Sequence, residues 1–133
     1  MLVPAILYKN EICTAFMKAL YNDEMLYYPG GLESSIPEIR SHTDGGNYQF
    51  AIVDGEKLIG YFTYRIDWYS SSAYCFGLLG FDKNNKIIGL DVHRELKKLI
   101  NDYHIRRLEW RMVGGNPVEK HYDKFCQRYN GRK

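Results

Sequence analysis

Long apolar runs, an excess of one charge and paired cysteines are all missing from this chain of 133 residues. No stretch approaches the ~18 consecutive apolar residues that span a membrane. The opening residues 1–7 are apolar but short, and they lack the basic flank of a secretory leader, so neither secretion nor anchoring is expected. Lys and Arg number 18 against 16 Asp and Glu, and the net charge of +2 demands neither nucleic acid nor a membrane as partner. Lys97, Lys98, Arg106, Arg107 and Arg111 scatter over different elements, which disfavours nucleic acid further. Only three cysteines occur, Cys13, Cys75 and Cys126, far apart and among apolar or helical residues. That usage fits reduced core thiols and predicts a cytoplasmic protein. The four histidines have no ligand spacing with one another or with the cysteines, so no metal is expected. Gly-x-Ser-x-Gly elbows and Walker-type loops are also absent, leaving hydrolase and nucleotidase readings without support.

What is present is a core. Apolar residues make up 45% of the chain, with twelve tyrosines and six phenylalanines, enough for one domain over residues 1–133. Ile12, Ala15, Phe16, Ala19 and Leu20 recur at helical spacing and predict a first helix over 10–20; a short second piece is expected over 22–28, ending at Pro29-Gly30-Gly31. Residues 48–53 and 57–68 are rich in β-formers and flank Asp54-Gly55, the signature of an antiparallel hairpin. A third strand over 74–81 continues the meander, and a polar turn then leads to Lys86-Ile87-Ile88-Gly89-Leu90-Asp91, predicted as a loop. Its N–H groups, delivered to a helix N-terminus, make an anion site. Asp91 is placed as N-cap or first-turn carboxylate.

In the helix that follows, Val92, Leu96, Leu99, Ile100 and Tyr103 form the apolar face, with Arg94, Glu95, Lys97, Lys98 and Asp102 opposite. A strand over 105–113 then implies a right-handed crossover and a parallel pair. Asn116 caps a last helix with Pro117 in its first position and Val118, Tyr122, Phe125, Cys126 and Tyr129 as its stripe.

This order of elements resembles the GNAT superfamily of acetyl-coenzyme A-dependent N-acetyltransferases over residues 4–131. Three segments carry the resemblance. Phe50-Ala51-Ile52-Val53-Asp54-Gly55-Glu56-Lys57-Leu58-Ile59-Gly60-Tyr61 is similar to the family's central hairpin. Lys86 to Asp91 sits where the family has its pyrophosphate loop, and Asn116-Pro117-Val118-Glu119-Lys120-His121-Tyr122 resembles its Asn-to-Tyr helix opening. The fold implied is α/β (α+β): a mixed central sheet with an antiparallel meander, a strand-helix-strand crossover and flanking helices.

The resemblance also implies acetyl-CoA as co-substrate, an amine as acceptor, and a V-shaped slot beside the third strand of the meander. The residues it assigns to the coenzyme are Leu79 and Phe81 along the pantetheine arm, Lys86, Ile87, Ile88, Gly89, Leu90 and Asp91 at the pyrophosphate, and Asn116. Tyr122 matches the tyrosine that protonates the departing thiolate. Such a transfer needs docked phosphates, an oxyanion donor, removal of the amine proton and protonation of the thiolate.

The chain departs from the family pattern at several points. Lys86 replaces Gln or Arg, Asp91 stands where Gly or Ala is usual, the Asn116 to Tyr122 spacing is one residue short, and two later strands of the family are missing. A carboxylate ~4 Å from a pyrophosphate charge costs about 1 kcal/mol even in water. The alternative reading is therefore an inactive GNAT-fold module acting through protein association, homodimerisation included, at the uncovered sheet edge. Tyr122 is equally readable as a core tyrosine. Glu109, between Arg107 and Arg111, reads as a charge ladder or a base, and Asp67 is a second base candidate.

Overall fold

The alternating apolar residues between positions 47 and 80 fold into three antiparallel strands, and everything else is arranged around them. The computed structural model describes residues 1–21, 38–39, 47–80, 87–110 and 117–131. Strand β1 (Leu2–Pro4) is followed by a 3-10 turn (Ala5–Tyr8), helix α1 (Lys9–Tyr21), β2 (Asn47–Asp54), β3 (Lys57–Asp67), β4 (Ser72–Gly80), α2 (Ile87–Asn101), β5 (Arg107–Trp110) and α3 (Pro117–Gly131). The sheet order is β1-β2-β3-β4-β5. All neighbours are antiparallel except β4 and β5, the parallel pair expected across the crossover. The β2–β3 hairpin closes at Gly55, whose φ of 63° suits a tight turn that a Cβ would strain. The second helical piece expected over 22–28 lies outside the described residues.

Both faces of the sheet are covered, so β2 and β3 read as nearly continuous apolar runs. Phe50, Ile52, Phe62, Tyr64 and Ile66 point to one face, where Val92, Leu96 and Leu99 of α2 and Tyr122 and Cys126 of α3 pack on them. Ala51, Val53 and Tyr61 point to the other, against Ala5, Ile12, Phe16 and Ile39. Leu96 and Leu99 are fully buried, and each such side chain stabilises by about 1.5–3 kcal/mol. Among the described residues, no helix is long and apolar enough to cross a membrane.

Two expectations fail in instructive ways. Strand β1 was not anticipated: residues 2–4 pair with Phe50 to Ile52, partners that no local pattern announces. Helix α2 begins at Ile87, so the segment expected as a loop up to Asp91 is already helical from its second residue. Gly is a weak helix former, yet Gly89 lies in the first turn, where its carbonyl accepts from Tyr122 of the last helix.

Strand β5 lies at one end of the strand order, and α3 reaches back to it. The Asn130 side chain accepts from Leu108 N at 3.0 Å and donates to Leu108 O at 2.7 Å, doing for that residue what a neighbouring strand would do. Asn130→Ala is expected to lower stability by about 2 kcal/mol, two part-buried bonds of about 1 kcal/mol each, as a lower urea midpoint at unchanged m-value.

Candidate functional site

An extra residue in β4 sets the geometry of the site. Register with β3 steps from Thr63↔Gly77 to Tyr64↔Cys75, leaving Phe76 as a bulge. Bulges bend a strand and raise its twist. On its other side β4 pairs with β5 from Ser72↔Arg107 to Cys75↔Trp110, then runs on to Gly80 without further pairing to β5 among the described residues. Helix α2 follows β4 in the chain from Ile87, and the N–H groups of a helix's first turn lack partners within the helix, which is what an anion site draws on.

Tyr122 stands against that opening. It is buried, its ring stacks on Trp110 at 5.0 Å, and Trp110 in turn stacks on Phe62 at 5.8 Å. Its Oη donates to the carbonyl of Gly89 at 3.3 Å. That is long for a hydroxyl donor, hence weak and easily exchanged for a better acceptor. Burial pushes the phenol above its ordinary value of 10.0 and keeps the proton on at neutral pH. A Cβ on Gly89 would lie 3.4 Å from this oxygen, an ordinary van der Waals contact, so the hydroxyl rests directly on the first turn of α2.

Asp91 needs correcting: it is neither N-cap nor a first-turn residue, because α2 starts four positions earlier. It lies about 200° around the helix from Gly89, facing away from Tyr122. Its buried carboxylate pairs with the Met1 amino group and stands 3.8 Å from Arg94. Its charge is therefore engaged elsewhere. A cleft of about 570 Å³, lined by Met1, Leu2, Leu90, Asp91, Arg94 and Glu95, lies on that side.

Glu95 is also misplaced by periodicity. Expected on the polar face, it is buried and accepts from Tyr64 Oη at 2.7 Å, and this negative neighbour together with burial raises the Tyr64 phenol. Leu79 lies in β4 opposite Tyr61, and Leu90 is exposed. Phe81, Lys86 and Asn116 lie outside the described residues. Glu109 accepts from Arg107 Nε at 2.8 Å, as a charge ladder would, and Asp67 accepts from Tyr69 N at 3.1 Å in an exposed turn. The residue overlooked in the sequence is Trp110. Its signal was an indole within the run 105–113 that reads as a strand.

No family model matches the chain, and no curated protein matches it in sequence. Solved structures do match. The microcin C7 self-immunity acetyltransferase MccE, in complex with acetyl-CoA and AMP, aligns with 98% of this chain and 76% of its own at 18% identity and a TM-score of 0.64. The chain has the GNAT fold. A dodecameric spermidine N-acetyltransferase from Vibrio cholerae aligns over 62% of this chain at 17% identity and a TM-score of 0.51; the match spans only 50% of that enzyme. A mutant of the Vibrio cholerae spermidine N-acetyltransferase SpeG aligns over 84% of this chain and 72% of its own, at 18% identity and a TM-score of 0.56. At such identities the likeness is one of GNAT architecture.

Proposed function

We propose that this chain is an N-acetyltransferase that takes its acyl group from acetyl-CoA and passes it to an amine. The observation that carries the reading is the seat of Tyr122 Oη, on the first turn of α2 and stacked against the last β5 residue paired with β4. A proton donor beside a helix N-terminus is what thioester aminolysis needs. Bound there, acetyl-CoA supplies an activated acyl group and a sulfur leaving group.

The chain's own residues bind the coenzyme and protonate the departing sulfur. In this reading the first-turn amides of α2 and the charge of Lys86 hold phosphate, and Leu79, Phe81 and Asn116 are further contacts to the coenzyme. Tyr122 holds a proton at Oη for the departing sulfur. Asp91, turned toward Met1 and Arg94, leaves the amide cluster clear. The rival reading, association through the β5 edge, is weakened because Asn130 occupies both backbone groups of Leu108.

A ligand that binds only the folded state at a hundredfold excess over Kd stabilises it by about 2.7 kcal/mol. Acetyl-CoA is accordingly expected to raise Tm by several degrees. Absence of both a shift and a heat of binding at millimolar ligand would remove the cofactor claim. Spermidine, named for the Vibrio cholerae enzymes, heads the amines to assay.

A further inference from the structure

The hydrogen bond of Tyr122 is too weak to aim its hydroxyl. At 3.3 Å to Gly89 O it is long for such a donor, and no second hydrogen bond holds this oxygen among the described residues. What holds the phenol is its ring. Tyr122 lies 5.0 Å from Trp110 between centroids, with an interplanar angle of 28°, and Trp110 lies 5.8 Å from Phe62 with an angle of 13°. Phe62 is fully buried in β3, and Trp110 ends β5 in register with Cys75. The stack is therefore anchored in two strands before it reaches α3.

An indole in the middle of that stack has a drawback. Trp110 is only 6% exposed, and its Nε1 is buried with no hydrogen-bond partner among the described residues. An indole nitrogen can only donate, and keeping such a donor dry and unpaired is unfavourable. Phenylalanine would escape that penalty, yet its single ring is shorter and faces two neighbours less completely. The extra apolar area of the indole is thus partly cancelled by its stranded nitrogen, whereas its breadth beneath a reactive phenol is gained in full. Local rules are broken most readily at functional sites.

We infer that Trp110 is a positioning residue: its stack, backed by Phe62, fixes the direction of the Tyr122 hydroxyl that protonates the departing sulfur. The inference rests on the N-acetyltransferase reading and adds to it the residue that aims its acid. A displacement of about 1 Å in a reacting group can slow a reaction about a hundredfold, so the stack bears on turnover beyond its share in the fold.

Protonation of the sulfur is common to every acceptor, so thiol release from acetyl-CoA is measured with water alone and with simple primary amines. Trp110→Leu, which removes the aromatic plane, is expected to lower kcat about tenfold while KM for acetyl-CoA stays within about twofold. Trp110→Phe keeps part of the plane and should lose only about threefold. In a Tyr122→Phe background no hydroxyl remains to be aimed, and there Trp110→Leu is expected to change kcat by less than about twofold.

Equal losses from Trp110→Leu in both backgrounds would make Trp110 a packing residue and overturn the inference while the acetyltransferase reading stands. An unchanged kcat in the protein that retains Tyr122 has the same meaning. If the unmodified protein releases no thiol with water or amine, both fall. Should Trp110→Leu fail to fold, Trp110→Phe in the two backgrounds decides.

Discussion

Tyr122→Phe is expected to lower kcat for acetyl transfer by about a hundredfold or more, the usual worth of a positioned general acid, while KM for acetyl-CoA stays within about twofold. Phenylalanine keeps the stack on Trp110 and removes only an oxygen whose bond to Gly89 O measures 3.3 Å. The Gly89 carbonyl also has its own partner one helical turn on, so stability should change by less than about 1 kcal/mol. Activity and fold are thus separable at this position.

The pH profile gives a second readout of the same change. An acid must be protonated to work, and burial raises this phenol above 10.0, so the alkaline loss of kcat due to Tyr122 lies above pH 10. That limb should vanish in the variant. An unchanged kcat would leave Tyr122 as a core residue and nothing more.

The second large effect is structural. Tyr64 is 1% exposed and Glu95 8%, and the phenol donates to the carboxylate at 2.7 Å. Tyr64→Phe strands a buried carboxylate and should cost about 2–3 kcal/mol; Glu95→Leu strands a buried hydroxyl and should cost about 2. Removing both leaves two apolar groups in contact, and the double variant is expected within about 1 kcal/mol of the parent. Urea melts of all four proteins measure the coupling. Simple additivity of the single losses would show that the bond contributes nothing of its own.

These two sites mark the border of what the sequence discloses. Periodicity located α1, α2, α3 and the meander because each buries a face, and Val92, Leu96 and Leu99 are indeed fully buried. The parallel β4–β5 pair followed from crossover geometry. Glu95 was out of reach because its burial depends on Tyr64, 31 residues earlier and on another element. Asp91 looked like a cap only while Lys86 to Leu90 were read as a loop, whereas the helix already runs from Ile87. The bulge at Phe76 left no mark, since an extra apolar residue in an apolar strand alters no pattern. The bonds of Asn130 to Leu108 left no mark either, since they join residues 22 apart on different elements.

The pairing of β1 has a kinetic consequence. Met1 and Val53, joined at that edge, are 52 residues apart, whereas β2 and β3 meet across a tight turn at Gly55. Each doubling of a loop costs about 0.6 kcal/mol, so closing this one demands about 3 kcal/mol more chain entropy than closing the hairpin. The meander can therefore assemble first, and the amino-terminal strand joins late, zipping onto an edge that already exists. On unfolding the order reverses: β1 peels away first, releasing Asp91 from the Met1 amino group before the strands beneath Tyr122 begin to separate.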